Sequence, residues 1–357
     1  MKNLARNALA SWLAVLAQLS WGQALPTSAP PPPPPHHQAL APAAEALAGR
    51  LREEMPQVRS LVVDHAGRTL IEFHRTGLSA DDAHPVRSIT KSITATLVGI
   101  ALGQGLLPGL DLPAHALLPE LAEQAGAGTQ ATAVTLSQLL TMTAGFRWDD
   151  GAFHRARWLM QPDQVQAAVQ RPVVRPHGAL FNYDTPSTHL LSAVLARHAG
   201  GSTERFAQCV LFEPLGITGY RWDSDSQGNV AGGHGLQLRT GDLVKLGRLY
   251  LQRGRWNAQQ ILPESFVELS TTRRVSTGNS GADSGYGYLW WVRKTPDGRH
   301  AFAALGYGGQ ILYVVPSLHL VVAMASEADS RSAANLPFVE KVLLPLITTQ
   351  ADASATR

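Results

Sequence analysis

The 357-residue sequence contains few charged residues and a single cysteine. Charged residues make up 16% of the chain, whereas 45% is hydrophobic, so the chain can bury a sizeable core. Cys209 cannot form an internal disulfide, and its apolar surroundings at 206–211 indicate a small hydrophobic core residue. The formal net charge is only +3, and no long run of lysine or arginine occurs. This pattern argues against a nucleic-acid-binding protein.

Long hydrophobic runs are missing after the N-terminus, so we expect no transmembrane span in the mature chain. At the N-terminus, Lys2 and Arg6 precede an apolar run at 8–19, and small residues follow it at 22–24. This order predicts a signal peptide over residues 1–24 and therefore export, to the periplasm or the medium. The proline run that follows predicts an extended linker over residues 25–42.

The motifs of several hydrolase classes are also missing. No G-x-S-x-G pentapeptide occurs, and the nearest match, which begins at Gly278, has alanine in place of the last glycine. The absence of this motif excludes the usual nucleophile turn of α/β-hydrolases. The histidines lack H-x-H and H-E-x-x-H spacing, and Asp81, Asp82 and His84 form too short a group for a metal site. We therefore expect no metal and no other cofactor.

Strand patterns lie at both ends of the sequence and helical patterns in its middle. Strands are predicted at 58–63, 69–73, 286–293, 301–305, 310–315 and 320–325, and helices at 43–54, 88–103, 136–141, 187–197, 239–251 and 333–347. We predict an α/β (α+β) fold, in which an antiparallel sheet flanked by helices carries an inserted, mainly helical subdomain. The domain is expected at 43–347, with an α/β part at 43–105 and 230–347, a helical part at 106–229, and a tail at 348–357.

The tetrad Ser-Ile-Thr-Lys from Ser88 to Lys91 is the first candidate for chemistry. Its S-x-x-K spacing places a hydroxyl and an amine on the same face of a helix, one turn apart. A serine hydroxyl needs a neighbouring base to become a good nucleophile, and a lysine in an apolar helix can have its pKa lowered enough to serve. The lysines are sparse, and only Lys91 lies in an uncharged apolar helix.

The sequence around this tetrad resembles the nucleophile helix of class C β-lactamase-related serine hydrolases, which share the fold of the penicillin-recognising enzymes. Further segments resemble that family in the same order: Val134 to Phe146, the tyrosine motif Phe181 to Leu191, the loop Gly232 to Leu238, and the third motif Gly306 to Pro316. The resemblance covers about residues 43–347 and is strongest to the branch of 6-aminohexanoate-dimer hydrolases and esterases.

The resemblance implies a role for each matching residue. Ser88 is expected to form an acyl-enzyme, and Lys91 and Tyr183 to share the proton transfers, with the nearby ammonium favouring a phenolate. The oxyanion is expected to bind the backbone N–H groups of Ser88 and Gln310. Gly308 and Gly309 are expected to let the substrate approach this strand closely.

Two positions depart from the family pattern. Thr185 stands where the tyrosine motif often has asparagine, and Tyr307 stands where the third motif has lysine or histidine. Tyrosine cannot supply the cation that pairs with the carboxylate of a β-lactam or a D-alanyl peptide. This argues against β-lactamase or D-peptidase activity, unless Arg273 or Arg274 reaches the same place.

Two functions remain open at this point. The first is a serine hydrolase that cleaves a small ester, amide or peptide. The second is a non-catalytic or acylation-only protein that binds cell-wall peptides or β-lactams, which the departures at Thr185 and Tyr307 favour. The sequence gives neither the substrate nor the oligomeric state. Several aromatic residues are candidates to line an apolar cleft: Trp148, Phe153, Trp158, Trp290 and Trp291.

Overall fold

The computed structural model describes residues 41–123, 133–278 and 285–348. The predicted signal peptide and nearly all of the predicted linker and tail lie outside these residues. None of the helices within the described ranges is long and apolar enough to cross a membrane.

A seven-stranded antiparallel sheet in the order β2-β1-β12-β11-β10-β9-β8 forms the centre of the molecule. Its strands are β1 (Val58–His65), β2 (Arg68–His74), β8 (Gly285–Tyr286), β9 (Trp291–Lys294), β10 (His300–Gly306), β11 (Gln310–Val315) and β12 (Leu320–Ser326). Strand β1 pairs with β12 from the other end of the chain, from Val58 opposite Ser326 to His65 opposite Leu320. The predicted sheet, built from both ends of the chain, is confirmed.

Both faces of this sheet are covered, which explains why its central strands are almost wholly apolar. Because successive side chains of a strand point to opposite faces, β12 contributes Val321 and Ala323 to one core and Val322 and Met324 to the other. The second core is closed by α1 (Ala41–Glu54) and the C-terminal helical segment, which begins with α11 (Asn335–Phe338). The result is a layer of helices on each side of the sheet.

The first core is covered by the remaining helices, most of which come from the middle of the chain. These are α2 (Ile89–Gly103), α3 (Pro119–Glu123), α4 (Leu136–Leu140), α5 (Ala152–Leu159), α6 (Gln164–Val169), α7 (Thr185–His198), α8 (Thr203–Ala207), α9 (Thr240–Leu251) and α10 (Glu264–Thr271). A three-stranded sheet, β3-β5-β4, and a small hairpin lie beside them. Their strands are β3 (Ala83–Pro85), β4 (Arg221–Trp222), β5 (Leu236–Arg239), β6 (Arg255–Trp256) and β7 (Gln259–Gln260).

Two predictions about individual segments are wrong. Cys209 is exposed and does not belong to the core, because it lies in a π-helical turn at Gln208–Phe212 that buries Leu211 and Phe212 instead. The predicted strand at 286–293 is divided into β8 and β9 by a tight turn. In this turn Leu289 has a φ of +58°, and its N–H donates to the Leu140 carbonyl oxygen at 3.0 Å.

Candidate active site

Ser88 lies immediately before the first residue of α2, at the end of a short extended segment. Strand β3 pairs with β5, and the Val86 N–H donates to the Leu236 carbonyl oxygen at 2.9 Å. This pairing fixes the segment that leads to Ser88. Arg87 then turns the chain sharply with a φ of +53°, in the left-handed region that non-glycine residues rarely adopt. Such strain next to a candidate nucleophile is common at functional sites.

Lys91 points along α2 toward this serine, as the S-x-x-K spacing predicts. Its Nζ donates to Ser88 Oγ at 3.1 Å and to the Gly233 carbonyl oxygen at 2.9 Å, and its side chain is almost fully buried. Burial without a direct carboxylate partner disfavours the charged form and lowers the pKa of Lys91 to about 8. A neutral amine able to accept the serine proton is therefore accessible near neutral pH.

The loop before β5 approaches α2 and α7 so closely that its glycines are required. A Cβ atom on Gly232 would lie 2.1 Å from the Thr188 carbonyl oxygen, and one on Gly233 would lie 2.4 Å from Thr188 Oγ1 and 3.2 Å from Lys91 Nζ. Only glycine allows the Gly233 carbonyl to come within hydrogen-bonding distance of Lys91.

Tyr183 lies next to the Lys91 amine, two residues before the start of α7. Lys91 Nζ lies 4.9 Å from the centre of the Tyr183 ring, and the ring stacks on Trp291 with 6.0 Å between ring centres. The next residue, Asp184, caps α7 by accepting from the Ser187 N–H and pairs with Arg171 at 2.7 Å. This buried pair fixes the turn that carries Tyr183.

Burial raises the pKa of the Tyr183 phenol, although a hydrogen bond with Ser88 partly opposes the rise. The phenolate expected from the nearby ammonium is therefore disfavoured before substrate binds. With a neutral phenol and a lysine whose pKa is lowered, Lys91 is the more readily available base of the pair. Tyr183 is placed to donate a proton to Ser88 or to a leaving group.

Two cavities adjoin Ser88. The smaller, of about 150 Å³, is lined by Arg87, Ser88, Lys91, Arg155, Leu159, Thr185, Asp223, Gly233, His234, Gly235 and Tyr307. The larger, of about 460 Å³, is lined by Ser88, Asp150, Gly151, Ala152, Arg155, Tyr183, Trp291, Leu305, Gly306 and Tyr307. Ser88, Arg155 and Tyr307 border both, so they lie at the centre of the cleft.

The structure brings most of the predicted site residues together. Thr185 is buried beside Gly233 and reaches the smaller cavity, while Tyr307 rims both cavities with 69% of its surface exposed. Gly308, Gly309 and Gln310 border neither cavity. The Gln310 side chain is buried instead and donates to the carbonyl oxygens of Gly308 and Ser326. The predicted role of the Gln310 N–H in the oxyanion hole therefore stays a prediction.

The candidate cleft aromatics divide among four environments. Trp291 lines the larger cavity beside Ser88, whereas Trp148 and Trp158 line a separate cavity of about 820 Å³. Trp290 is fully buried in the core, and Phe153 is exposed on α5. Only Trp291 thus serves the cleft next to Ser88.

Sequence reasoning missed several polar residues of the cleft, among them Asp150, Arg155 and His234. Asp150 and Arg155 come from the segment around α5. The charge on Asp150 favours the ammonium form of Lys91 and so offsets part of the larger lowering of its pKa by burial. His234 reaches the smaller cavity, and its Nε2 atom is buried without a hydrogen-bond partner. Burial and the charge on Lys91 lower the pKa of His234 to about 4, so it is neutral at neutral pH. Only His234 was within a recognised motif.

Two further expectations from the sequence concern a replacement for the missing third-motif cation and a metal site. Arg274 lies over the Tyr288 ring at 5.6 Å, and neither Arg273 nor Arg274 borders the cavities beside Ser88. Neither arginine therefore replaces the missing third-motif cation. Within the described ranges, no three His, Cys, Asp or Glu side chains group in a way that could hold a metal ion.

The fold is that of one known family of proteins. The family model described as beta-lactamase matches residues 58–340, and the chain belongs to that family. A 6-aminohexanoate-dimer hydrolase from Paenarthrobacter ureafaciens is 24% identical over 345 residues, which cover 85% of this chain and 83% of that protein.

Solved structures agree on the fold. A Bacillus anthracis protein assigned to the 6-aminohexanoate-dimer hydrolases is 21% identical, with a TM-score of 0.72 over 82% of this chain and 81% of that one. EstCE1, a hydrolase with promiscuous acyltransferase activity, is 17% identical, with a TM-score of 0.69 over 88% of this chain and 98% of its own. The β-lactamase/transpeptidase-like fold predicted from the sequence is confirmed, and the relatives support hydrolase activity.

Proposed function

We propose that the protein is a serine hydrolase that cleaves a small ester or amide through an acyl-enzyme on Ser88. The observation that carries the proposal is the 3.1 Å hydrogen bond between Lys91 Nζ and Ser88 Oγ, made by a buried lysine whose pKa is lowered to about 8. This pair couples a nucleophile to a base inside a cleft. A purely structural lysine would not need a serine hydroxyl at the edge of two cavities.

The reaction divides into two halves. In the first, Ser88 Oγ attacks the substrate carbonyl while its proton passes to neutral Lys91, and the leaving group departs with a proton relayed through the Tyr183 hydroxyl. In the second, water attacks the acyl carbonyl, loses its proton to the same pair, and returns Ser88 as a free hydroxyl. No redox step or cofactor is needed.

The oxyanion that forms in each half requires fixed donors. The Ser88 N–H at the start of α2 is the first. The Gln310 N–H, which the resemblance to the family implies, is the proposed second donor, and Gly306 and Tyr307 on the same turn line the cleft.

Acylation without turnover is the second candidate. It is favoured by the raised pKa of Tyr183, because a neutral phenol is a poor base for the water that must attack the acyl-enzyme. A protein that acylates and then stops would act as a binder or sensor of cell-wall peptides or β-lactams.

One experiment separates these functions. The mature protein and its Ser88→Ala variant are incubated with a short-chain p-nitrophenyl ester, a chromogenic cephalosporin and a fluorophosphonate, and turnover and intact mass are recorded. Ser92→Ala is the matched control, since Ser92 lies one turn further along α2 and bonds to the Leu289 carbonyl oxygen, away from the cleft.

For a hydrolase, we expect ester turnover and fluorophosphonate labelling that vanish in Ser88→Ala and persist in Ser92→Ala. A stable mass increase with the ester or the cephalosporin, without turnover of either, would assign the acylation-only function, since the fluorophosphonate labels a hydrolase as well. Neither turnover nor mass increase with any of the three compounds would contradict both proposals.

Export is proposed on the N-terminal sequence alone, since residues 1–24 lie outside the described part of the chain. N-terminal sequencing of protein recovered from the envelope or medium of the producing cells tests it. A mature N-terminus near residue 25 is expected, and recovery of the full-length chain from the cytoplasm would overturn the proposal.

A further inference from the structure

A cation stands at the third-motif edge of the cleft, although the motif itself has none. The Cζ atom of Arg155 lies 6.0 Å from the centre of the Tyr307 ring. Arg155 belongs to α5, far from the third motif in sequence, and it borders both cavities beside Ser88. The motif position and the cation are thus supplied by different elements.

The Arg155 guanidinium keeps most of its donors available. Apart from the Tyr307 ring, its side-chain contacts within the described residues are with Asp150, at 3.5 Å to the backbone oxygen and 3.6 Å to the carboxylate, and both are at or beyond the usual hydrogen-bond limit. Arg171 offers a contrast, because its guanidinium bonds at 2.8 Å to the Ala168 oxygen and at 2.7 Å to Asp184. A guanidinium has five N–H donors, so Arg155 is free to bind a ligand.

The smaller cavity has the charge and size for an anionic group. Arg87 and Arg155 both line it, together with the Lys91 amine, and Asp223 is the only carboxylate among the described residues of its lining. Its volume of about 150 Å³ is about five times the volume of one liquid water. A carboxylate and a short stem fit such a space, whereas a large ring system does not.

We propose that Arg155 binds a carboxylate of the substrate, so that the enzyme prefers anionic esters or amides over neutral ones of the same length. The inference rests on the proposed hydrolase function and adds the substrate class. A planar guanidinium matches a carboxylate with two parallel hydrogen bonds. Arg155 thereby fills the role left open by Tyr307, from a different element of the fold.

The test compares matched substrates with and without a carboxylate. Mono-p-nitrophenyl adipate and p-nitrophenyl hexanoate differ by one carboxylate on the acyl side, and 3-acetoxybenzoate and phenyl acetate differ by one on the leaving-group side. The variants are Arg155→Gln, which removes the charge, and Arg155→Lys, which keeps the charge without the planar fork. Arg157→Gln is the control, because Arg157 lies two residues along α5 and lines the separate large cavity.

We expect Arg155→Gln to lower kcat/KM for the anionic member of at least one pair by about 10- to 100-fold. The neutral member should change by less than about threefold. Arg155→Lys should keep part of the preference, and Arg157→Gln all of it. An equal loss for both members would show that Arg155 only supports the cleft, and this outcome, like an unchanged preference, overturns the inference.

A binding measurement separates this inference from the proposed function. Calorimetry with adipate is carried out on the Ser88→Ala protein and on the Ser88→Ala, Arg155→Gln double variant. Loss of adipate binding in the double variant supports the inference even if the parent hydrolyses nothing. Ser88-dependent turnover without any Arg155-dependent preference or binding leaves the hydrolase intact and rejects the carboxylate site.

Discussion

Two side chains next to Ser88, those of Lys91 and Tyr183, can take part in proton transfer, and their ionisation differs. Burial lowers the pKa of Lys91 to about 8 and raises that of Tyr183. At pH 7 about a tenth of Lys91 is therefore neutral, while Tyr183 is almost wholly protonated. The assignment of Lys91 as base and Tyr183 as proton donor follows from these opposite shifts.

The pH dependence of the reaction tests the assignment of Lys91. Only the neutral amine can accept the proton, so kcat/KM for a neutral ester should rise about tenfold from pH 7 and level off above pH 9, with a midpoint near 8. Lys91→Arg, which keeps the cation at every working pH, should be inactive throughout. A flat profile in the parent, or substantial activity in Lys91→Arg, would show that the cation and not the free base is required.

Tyr183→Phe tests the proton donor. The ring and its stacking on Trp291 remain, but the hydroxyl is lost, so kcat should fall by about 10²- to 10⁴-fold. Tyr288→Phe is the control, because it removes a hydroxyl that bonds to Ser137 Oγ at 3.1 Å, away from both cavities. Rates are measured by ester hydrolysis and stability by thermal unfolding, and equal kinetics for the two variants would exclude a role for the Tyr183 hydroxyl.

At the scale of elements, the turn before α7 is held by one carboxylate with two partners. The Asp184 carboxylate both caps α7 and pairs with buried Arg171. Asp184→Ala removes the cap and leaves a buried cation unpaired, which should cost about 3–5 kcal/mol of unfolding free energy. Asp163→Ala removes only the cap of α6 and should cost about 1 kcal/mol. Urea unfolding gives both values, and similar losses would argue against a strong buried pair.

Contacts within one helix could be predicted from the sequence, whereas contacts between distant elements could not. The contact between Ser88 and Lys91 was predictable because both lie within one helical turn, and α2 itself follows from its apolar pattern. Arg155 and Asp150 could not be found in this way, since their place depends on how α5 packs across the cleft. The turn at Leu289 was missed for a similar reason: its left-handed backbone is held by a bond from α4, which is distant in sequence.

At the scale of the whole molecule, a buried polar network joins both ends of the chain to the third-motif turn. Asn335 accepts from Gln57 Nε2 at 2.9 Å and donates to the Gly309 carbonyl oxygen at 3.1 Å. The Gln310 amide bonds to Ser326 on the neighbouring strand. The turn that carries Tyr307 is thus tied to the C-terminal helical segment and to the loop before β1.

Asn335→Ala should therefore affect both stability and substrate binding. The variant removes two buried hydrogen bonds and leaves Gln57 Nε2 only its 3.3 Å bond to the Arg331 carbonyl oxygen. The cost should be about 2 kcal/mol in unfolding free energy, and KM should rise because the turn loses its support. Gln260→Ala is the control, since that side-chain amide also makes two hydrogen bonds, in its case to two backbone carbonyl oxygens, but lies on the exposed β6–β7 hairpin. Denaturant unfolding and steady-state kinetics provide the readouts, and an unchanged KM in Asn335→Ala would contradict the link to the cleft.

The pairing of β1 with β12 also has a consequence for the order in which the protein folds. The first strand of the sheet begins at Val58, and its partner ends at Ser326, so nearly the whole domain must be synthesised before the central sheet can close. Such distant contacts are slow to form. Until then, the edge of β1 that pairs with β12 stays unpaired. The third-motif turn of the cleft depends on the same C-terminal residues, so the cleft is among the last parts of the molecule to form.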